Sequence, residues 1–150
     1  MQSTNEQIMA TEKENNKPTV HVVAAVVRKD GSILCTQRTR SHKSYNSERW
    51  EFPGGKVKGG ESDHEALMRE IREEMAWDIY VGRPAARVVH EYPDFIIDMT
   101  AYYCLAETDD FRLLEHLDAR WLALEELDTL NWADADRKVV AQLKEAAFKS

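Results

Sequence analysis

Glu70, Glu73 and Glu74 fall within five consecutive residues, in a stretch whose apolar members Leu67, Met68, Ile71 and Met75 recur at helical spacing. On one helix the three carboxylates occupy a single sector beside that apolar stripe. They also crowd the final turns, where the macrodipole disfavours each anion by about 0.3–1 kcal/mol. Glu70 and Glu74 stand at i,i+4, a spacing at which like charges repel. One reading is a solvated face neutralised by Arg69 and Arg72. It accounts for the arginines but leaves three acids at the unfavourable end unexplained. A hard divalent cation accounts for them, because Mg²⁺ takes carboxylate oxygens and keeps waters for a phosphate substrate.

Upstream, Gly54-Gly55 and Gly59-Gly60 allow close backbone approach to a ligand or metal, or serve as plain turns. Neither pair belongs to a GxGxxG fingerprint or a P-loop. From Arg38 to Lys58 six basic residues (Arg38, Arg40, Lys43, Arg49, Lys56, Lys58) stand against two acids, Glu48 and Glu51. Such a local positive excess beside a carboxylate cluster suits phosphate capture.

These groups need a scaffold. Val20 to Val27 is a nearly continuous apolar run, the mark of a strand buried on both faces. Asp30-Gly31 predicts a primed hairpin turn into a second strand, Ile33 to Arg38. Thr39 to Arg49 reads as a loop, and Trp50 to Gly55 as a short extended piece ending in a glycine turn. Ser62 with Glu65 forms a capping box for the acidic helix, and Glu65 with Arg69 makes an i,i+4 pair. Strands follow at Asp78 to Val81, Arg87 to Tyr92, Phe95 to Leu105 and Ala119 to Leu122. A short helical piece spans Glu125 to Leu130, and an amphipathic helix runs from Asp134 to Phe148. This order predicts one mixed α/β or α+β domain.

The chain has 150 residues, 20 basic and 27 acidic side chains, and a net charge of -7. That length suits one domain over residues 18–150, preceded by a flexible polar tail over residues 1–17. No apolar run is long enough for a membrane helix, and the acidic balance argues against a long nucleic acid as partner. Cys35 and Cys104 lack metal-type spacing and read as reduced core thiols, so the cytoplasm is the expected compartment.

From Gly55 the segment GKVKGGESDHEALMREIREEMAW resembles the Nudix box. That pattern is Gly, five residues, Glu, seven residues, Arg-Glu, an apolar residue, any residue, Glu-Glu, any residue, Gly, then an apolar residue. Gly55, Glu61, Arg69, Glu70, Ile71, Glu73 and Glu74 match in register. Chance gives such a match in roughly one chain in 10⁴. Ala76 departs from the pattern's second Gly, and a left-handed helix end on alanine costs about 1–2 kcal/mol. The segments ILCTQR, WEFPGGKV, EHLDARWL and ADRKVV extend the likeness over most of the chain, toward the MutT-type and CTP pyrophosphohydrolase branch of Nudix hydrolases.

The resemblance implies an α/β/α sandwich with a mixed sheet. It also implies an enzyme that releases a nucleoside monophosphate and pyrophosphate from a triphosphate with Mg²⁺ or Mn²⁺. On this chain it makes Glu70, Glu74 and the Gly54 carbonyl metal ligands, with Glu73 close by, and Arg69 and Glu61 as supports. Glu115 matches a loop glutamate that ligates metal or acts as base, so Glu73 and Glu115 both stand as catalytic candidates. Arg38 matches a phosphate-contacting arginine, and Glu51, Phe52, Pro53 and Gly54 line the nucleotide site. Asp136 falls where the branch reads the base, and an ionised Asp there accepts from cytosine N4. Trp50, Phe52 and Trp132 are candidate stacking platforms or core residues. Two further readings stay open: hydrolysis of another nucleoside diphosphate derivative, and a non-catalytic nucleotide-binding module.

Overall fold

The computed structural model describes residues 16–43 and 45–149. Residues 1–15 of the expected tail lie outside the described residues. Lys17 already belongs to the body, donating to Glu91 at 3.0 Å and to the Tyr92 carbonyl at 3.4 Å.

Seven strands form one mixed sheet: β1 (Thr19–Lys29), β2 (Ser32–Arg38), β3 (Trp50–Glu51), β4 (Gly54–Lys56), β5 (Tyr80–Glu91), β6 (Ile96–Leu105) and β7 (His116–Ala123). The apolar run of β1 is central, as its patterning requires. It pairs parallel with β6 from Thr19 to Val27, and antiparallel with β4 and with β2. β2 in turn carries β3 and β7, and β5 closes the far edge against β6. Asp30 (φ 52°) and Gly31 (φ 81°) both take positive φ, the requirement of the primed turn between β1 and β2.

Helix α1 (Asp63–Met75) covers one face and α2 (Asp134–Lys149) the other, making the α/β/α sandwich. Alternate residues of β1 serve the two cores. Val23, Ala25 and Val27 meet Ala66, Leu67, Ile71 and Met75 of α1. Ala24 and Val26 join Val139, Val140 and Leu143 of α2. Each fully buried Leu, Ile or Met contributes about 1.5–3 kcal/mol, which is what holds α1 rigidly against the sheet. Met68 is only half-buried, so the α1 stripe runs through Ala66 instead. Among the described residues no helix is long and apolar enough to cross a membrane.

The capping box forms as expected, with Ser62 and Glu65 exchanging hydrogen bonds at 3.1 Å. That engagement corrects the expected Glu65–Arg69 pair, because Glu65 is spent on the cap and Arg69 turns to other acids. The two strands expected at Asp78–Val81 and Arg87–Tyr92 are one strand, β5. Its register slips between Val81 and Ala86, so the missing N–H of Pro84 falls in a bulged stretch. Leu124–Thr129 is a 3₁₀ turn.

At the end of α1, Ala76 is left-handed (φ 48°, ψ 45°) and its N–H reaches the Arg72 carbonyl. An L-residue is strained there and glycine is not. Ala76→Gly should therefore stabilise the protein by about 1 kcal/mol in urea denaturation; a loss of stability would refute the strain.

Candidate active site

A cleft of about 610 Å³ opens between the β1–β6 surface, the loop after β2 and the start of α2. Its lining brings together Arg38, Glu51, Phe52, Gly54, Glu74, Glu115 and Asp136, seven of the residues singled out from sequence. Long-range strand pairing does this. β2 and β7 set Arg38 opposite His116, and β2 and β3 set Thr36 opposite Glu51.

The two glycines of β4 have different uses. A Cβ on Gly54 would stand 2.0 Å from the Val23 carbonyl oxygen, so this glycine lets β4 lie tight on β1. A Cβ on Gly55 would stand 2.4 Å from the Glu70 carboxyl carbon, so this one makes room for the acid.

Arg69 organises the acids of α1. It donates to Glu61 at 2.6 and 2.9 Å, to Glu70 at 2.9 Å, to Glu73 at 3.2 Å and to the Lys56 carbonyl at 3.0 Å. Its guanidinium and the Lys58 N–H hold the Glu61 carboxyl down at about 2, so Glu61 ties the glycine loop to the helix. Glu73 remains half exposed outside the cleft lining, and Pro53 is buried beneath the loop with its carbonyl on the Ala25 N–H. Those two expected site residues, like Arg69 and Glu70, lie outside the cleft lining.

Glu74 is different. One of its oxygens is buried and has no hydrogen-bond partner. Burial pushes its carboxyl up to about 9, reinforced by the charges of Glu51, Glu70 and Glu115. The loop carrying Glu115 is pinned beside it. Leu114 N–H donates to the Glu74 carbonyl and Arg112 N–H to that of Met75, satisfying carbonyls the helix end leaves open.

His116 escaped the sequence reading. Its side chain is buried, with Nε2 3.4 Å from Glu51 and 3.8 Å from Glu74 and an unpartnered Nδ1. Glu51 also accepts from Arg38 at 2.9 Å. Arg38, Glu51, His116 and Glu74 thus form a continuous polar chain across the cleft. The one sequence signal was the placement of His116 directly after Glu115.

At the other end Asp136 is buried in the first turn of α2 and accepts from the Phe52 N–H at 3.0 Å. Burial, then the Glu51 charge, pushes its carboxyl up to about 8. Tyr92 and Phe95, also unforeseen in the lining, stack on each other at 5.1 Å. Phe52 and Trp132 stack together at 4.7 Å within the core, and Trp50 is buried, so the tryptophans pack the core and do not line the cleft. Of the six basic residues, Arg38, Arg40 and Lys56 line the cleft. Lys43 is taken by Asp94, Arg49 by Asn131, and Lys58 lies outside.

These residues fit a divalent cation. Glu74 has an unmet oxygen and three acids around it, and a cation relieves that repulsion. Among the described residues no three His, Cys, Asp or Glu side chains already converge on one point; Glu70 is held by Arg69 and would have to share its carboxylate.

An acidic helix behind a glycine loop, capping one end of a cleft in an α/β/α sandwich, defines a Nudix-type hydrolase. A family model for the NUDIX domain matches residues 22–142, and the chain belongs to the Nudix family. It is 36% identical to the CTP pyrophosphohydrolase of Escherichia coli (strain K12) over 117 residues, 78% of this chain and 85% of that protein. It is 30% identical to the 8-oxo-dGTP diphosphatase of Haemophilus influenzae, covering 85% and 93%. The crystal structure of a MutT protein from Methanosarcina mazei Go1 superposes with a TM-score of 0.78 at 25% identity, covering 88% and 97%.

Proposed function

We propose that this hydrolase cleaves (deoxy)nucleoside triphosphates to the monophosphate and pyrophosphate, using Mg²⁺ or Mn²⁺, on CTP- or dCTP-type nucleotides or oxidised ones such as 8-oxo-dGTP. The observation that carries this reading is the unpartnered Glu74 oxygen, buried among acids in the cleft that also holds Asp136. The names of the two relatives, one acting on CTP and one on 8-oxo-dGTP, agree with it.

Glu70, Glu74, Glu115 and the Gly54 carbonyl would hold the cation. When bound, the metal supplies charge neutralisation on the phosphates and a lowered pKa for the attacking water. Arg38, Arg40 and Lys56 receive the phosphate oxygens, and Arg38 is released from Glu51 as it does so. Arg69 keeps the acids of α1 in place, and of the two candidate bases Glu115, which lines the cleft, would accept the water's proton, while Glu73 stays bonded to Arg69. Asp136 keeps one oxygen on Phe52 and presents the other to the base. The protein's net charge of -7 does not oppose this substrate, because part of that charge recruits the cation. The same charge disfavours long nucleic acids, which contact an extended surface. Buried free thiols at Cys35 and Cys104 suit a reducing cytoplasm.

Pyrophosphate release should be measured with Mg²⁺ and with Mn²⁺ over CTP, dCTP, 5-methyl-dCTP, dGTP and 8-oxo-dGTP. Metal-dependent release from at least one triphosphate is expected. Turnover of nucleotide sugars or dinucleotides alone would overturn the proposal.

A further inference from the structure

A second cavity, of about 630 Å³, lies at the C-terminal end of β1, beside the hairpin to β2 and the last turns of α2. Arg28 is six residues from Val22 of the active cleft, which is roughly 20 Å along an extended strand. The two sites share no lining residue.

Two guanidiniums converge here on one ring. Arg28 lies 4.0 Å and Arg83 5.1 Å from the centroid of Tyr103. The topology explains the meeting, because β6 runs between β1 and β5, and the bulged stretch of β5 aims Arg83 at Tyr103. Arg38, Arg40, Arg69, Arg72, Arg87 and Arg120 each pair with a carboxylate. The Arg28 and Arg83 guanidiniums have no hydrogen bond or ion pair among the described residues, only their contacts with the Tyr103 ring, and the Tyr103 hydroxyl has no hydrogen bond there either. Two cations that share one ring lie less than about 10 Å apart and repel, and a bound dianion would relieve that repulsion. The ring contacts leave the guanidinium edges free to donate in the paired geometry that phosphate oxygens accept.

The hairpin contributes Lys29, Asp30 and Ser32 to the lining, with Lys29 paired to Asp109, and the wall away from the hairpin is mostly apolar. Ile33, Leu105, Leu124, Leu143 and Ala146 line it, and Leu105 is 60% exposed. A bare inorganic anion would leave that wall in water. The volume lies within the range of small-molecule sites.

We infer that this cavity is a second ligand site, distinct from the active cleft, for a phosphate monoester carrying a flat ring with one face to bury, the chemistry of a nucleoside monophosphate. Arg28, Arg83 and the Tyr103 hydroxyl hold the phosphate, and the α2-side wall covers the body.

The test is amide chemical-shift mapping of the full chain by ¹⁵N NMR, without divalent metal, titrating cytidine 5′-monophosphate, phenyl phosphate and inorganic phosphate. Saturable shifts are expected at Arg28, Arg83, Tyr103, Leu105 and Leu143. The double variant Arg28→Gln/Arg83→Gln, altered only at exposed positions, should weaken them at least tenfold while any shifts at Gly54 and Glu74 persist. Tighter binding of the cytidine compound than of phenyl phosphate supports a nucleotide ligand; equal binding supports any flat aromatic phosphate. Shifts confined to the active cleft, shifts that survive the double variant, or inorganic phosphate binding as tightly as the esters would each overturn the proposal. All of these readouts are independent of whether the active site hydrolyses triphosphates.

Discussion

Replacing Glu74 by Gln should lower metal-dependent nucleotide hydrolysis by roughly 10³-fold and leave the fold intact. The substitution keeps the side chain's shape, so the packing of α1 through Leu67, Ile71 and Met75 is untouched. What it removes is a charge facing Glu51, Glu70 and Glu115. A cation held there would lose a ligand, and the several kcal/mol it would supply to the transition state convert to about three powers of ten in rate. The metal-free protein should respond in the opposite sense. Because the Glu74 carboxyl is raised in the folded state, folded protein keeps a proton that unfolded protein releases. Stability is therefore fully present below the ordinary carboxylate range and is lost as pH rises toward 9. Urea denaturation in a chelator should show the wild type losing more stability than Glu74→Gln between pH 6 and pH 9. Added Mn²⁺ should raise the melting temperature of the wild type more than that of the variant. Unchanged turnover in Glu74→Gln would remove Glu74 from the site.

What could be read in advance divides by the range of the interaction. The capping box depends on two residues three positions apart, and the hairpin turn on two adjacent ones, so both were visible. The Glu70/Glu73/Glu74 spacing was visible for the same reason. The choice of partner for Arg69 was not, because Glu61 and the Lys56 carbonyl reach it only once β4 has folded against β1. His116 was hidden more deeply. Its meaning comes from being set opposite Arg38 across β2 and β7, a pairing between segments far apart in the chain. Of the two readings open for Trp50 and Trp132, base platform or core, the core one holds for a related reason. Apolar aromatics are drawn to the core wherever a partner exists, and Trp132 finds Phe52 there. Tyr92 and Phe95 reach the cleft because they flank the turn between β5 and β6, an edge whose position only the sheet order reveals.

Asp136→Asn should shift base preference, lowering the ratio of kcat/KM for CTP to that for 8-oxo-dGTP by about 10–100-fold, the worth of one well-made base contact. The substitution preserves the anchoring hydrogen bond, since the amide oxygen can accept from the Phe52 N–H as the carboxylate oxygen does. It changes the other half of the group. A carboxylate accepts from the cytosine amino group, whereas an amide NH₂ or a protonated carboxyl donates to an acceptor edge such as that of guanine. Burial holds the Asp136 carboxyl above its ordinary range, so the wild type has both forms within reach near neutral pH. The wild-type ratio should accordingly rise with pH as Asp136 ionises, and the ratio for the Asp136→Asn enzyme should stay flat. Ionisation of the triphosphate is common to both substrates and cancels from the ratio. Asp136→Ala separates reading from anchoring: it leaves the Phe52 N–H unpaired and costs about 1–3 kcal/mol of stability. A pH-dependent ratio that persists in Asp136→Asn would assign base reading to another residue of the cleft.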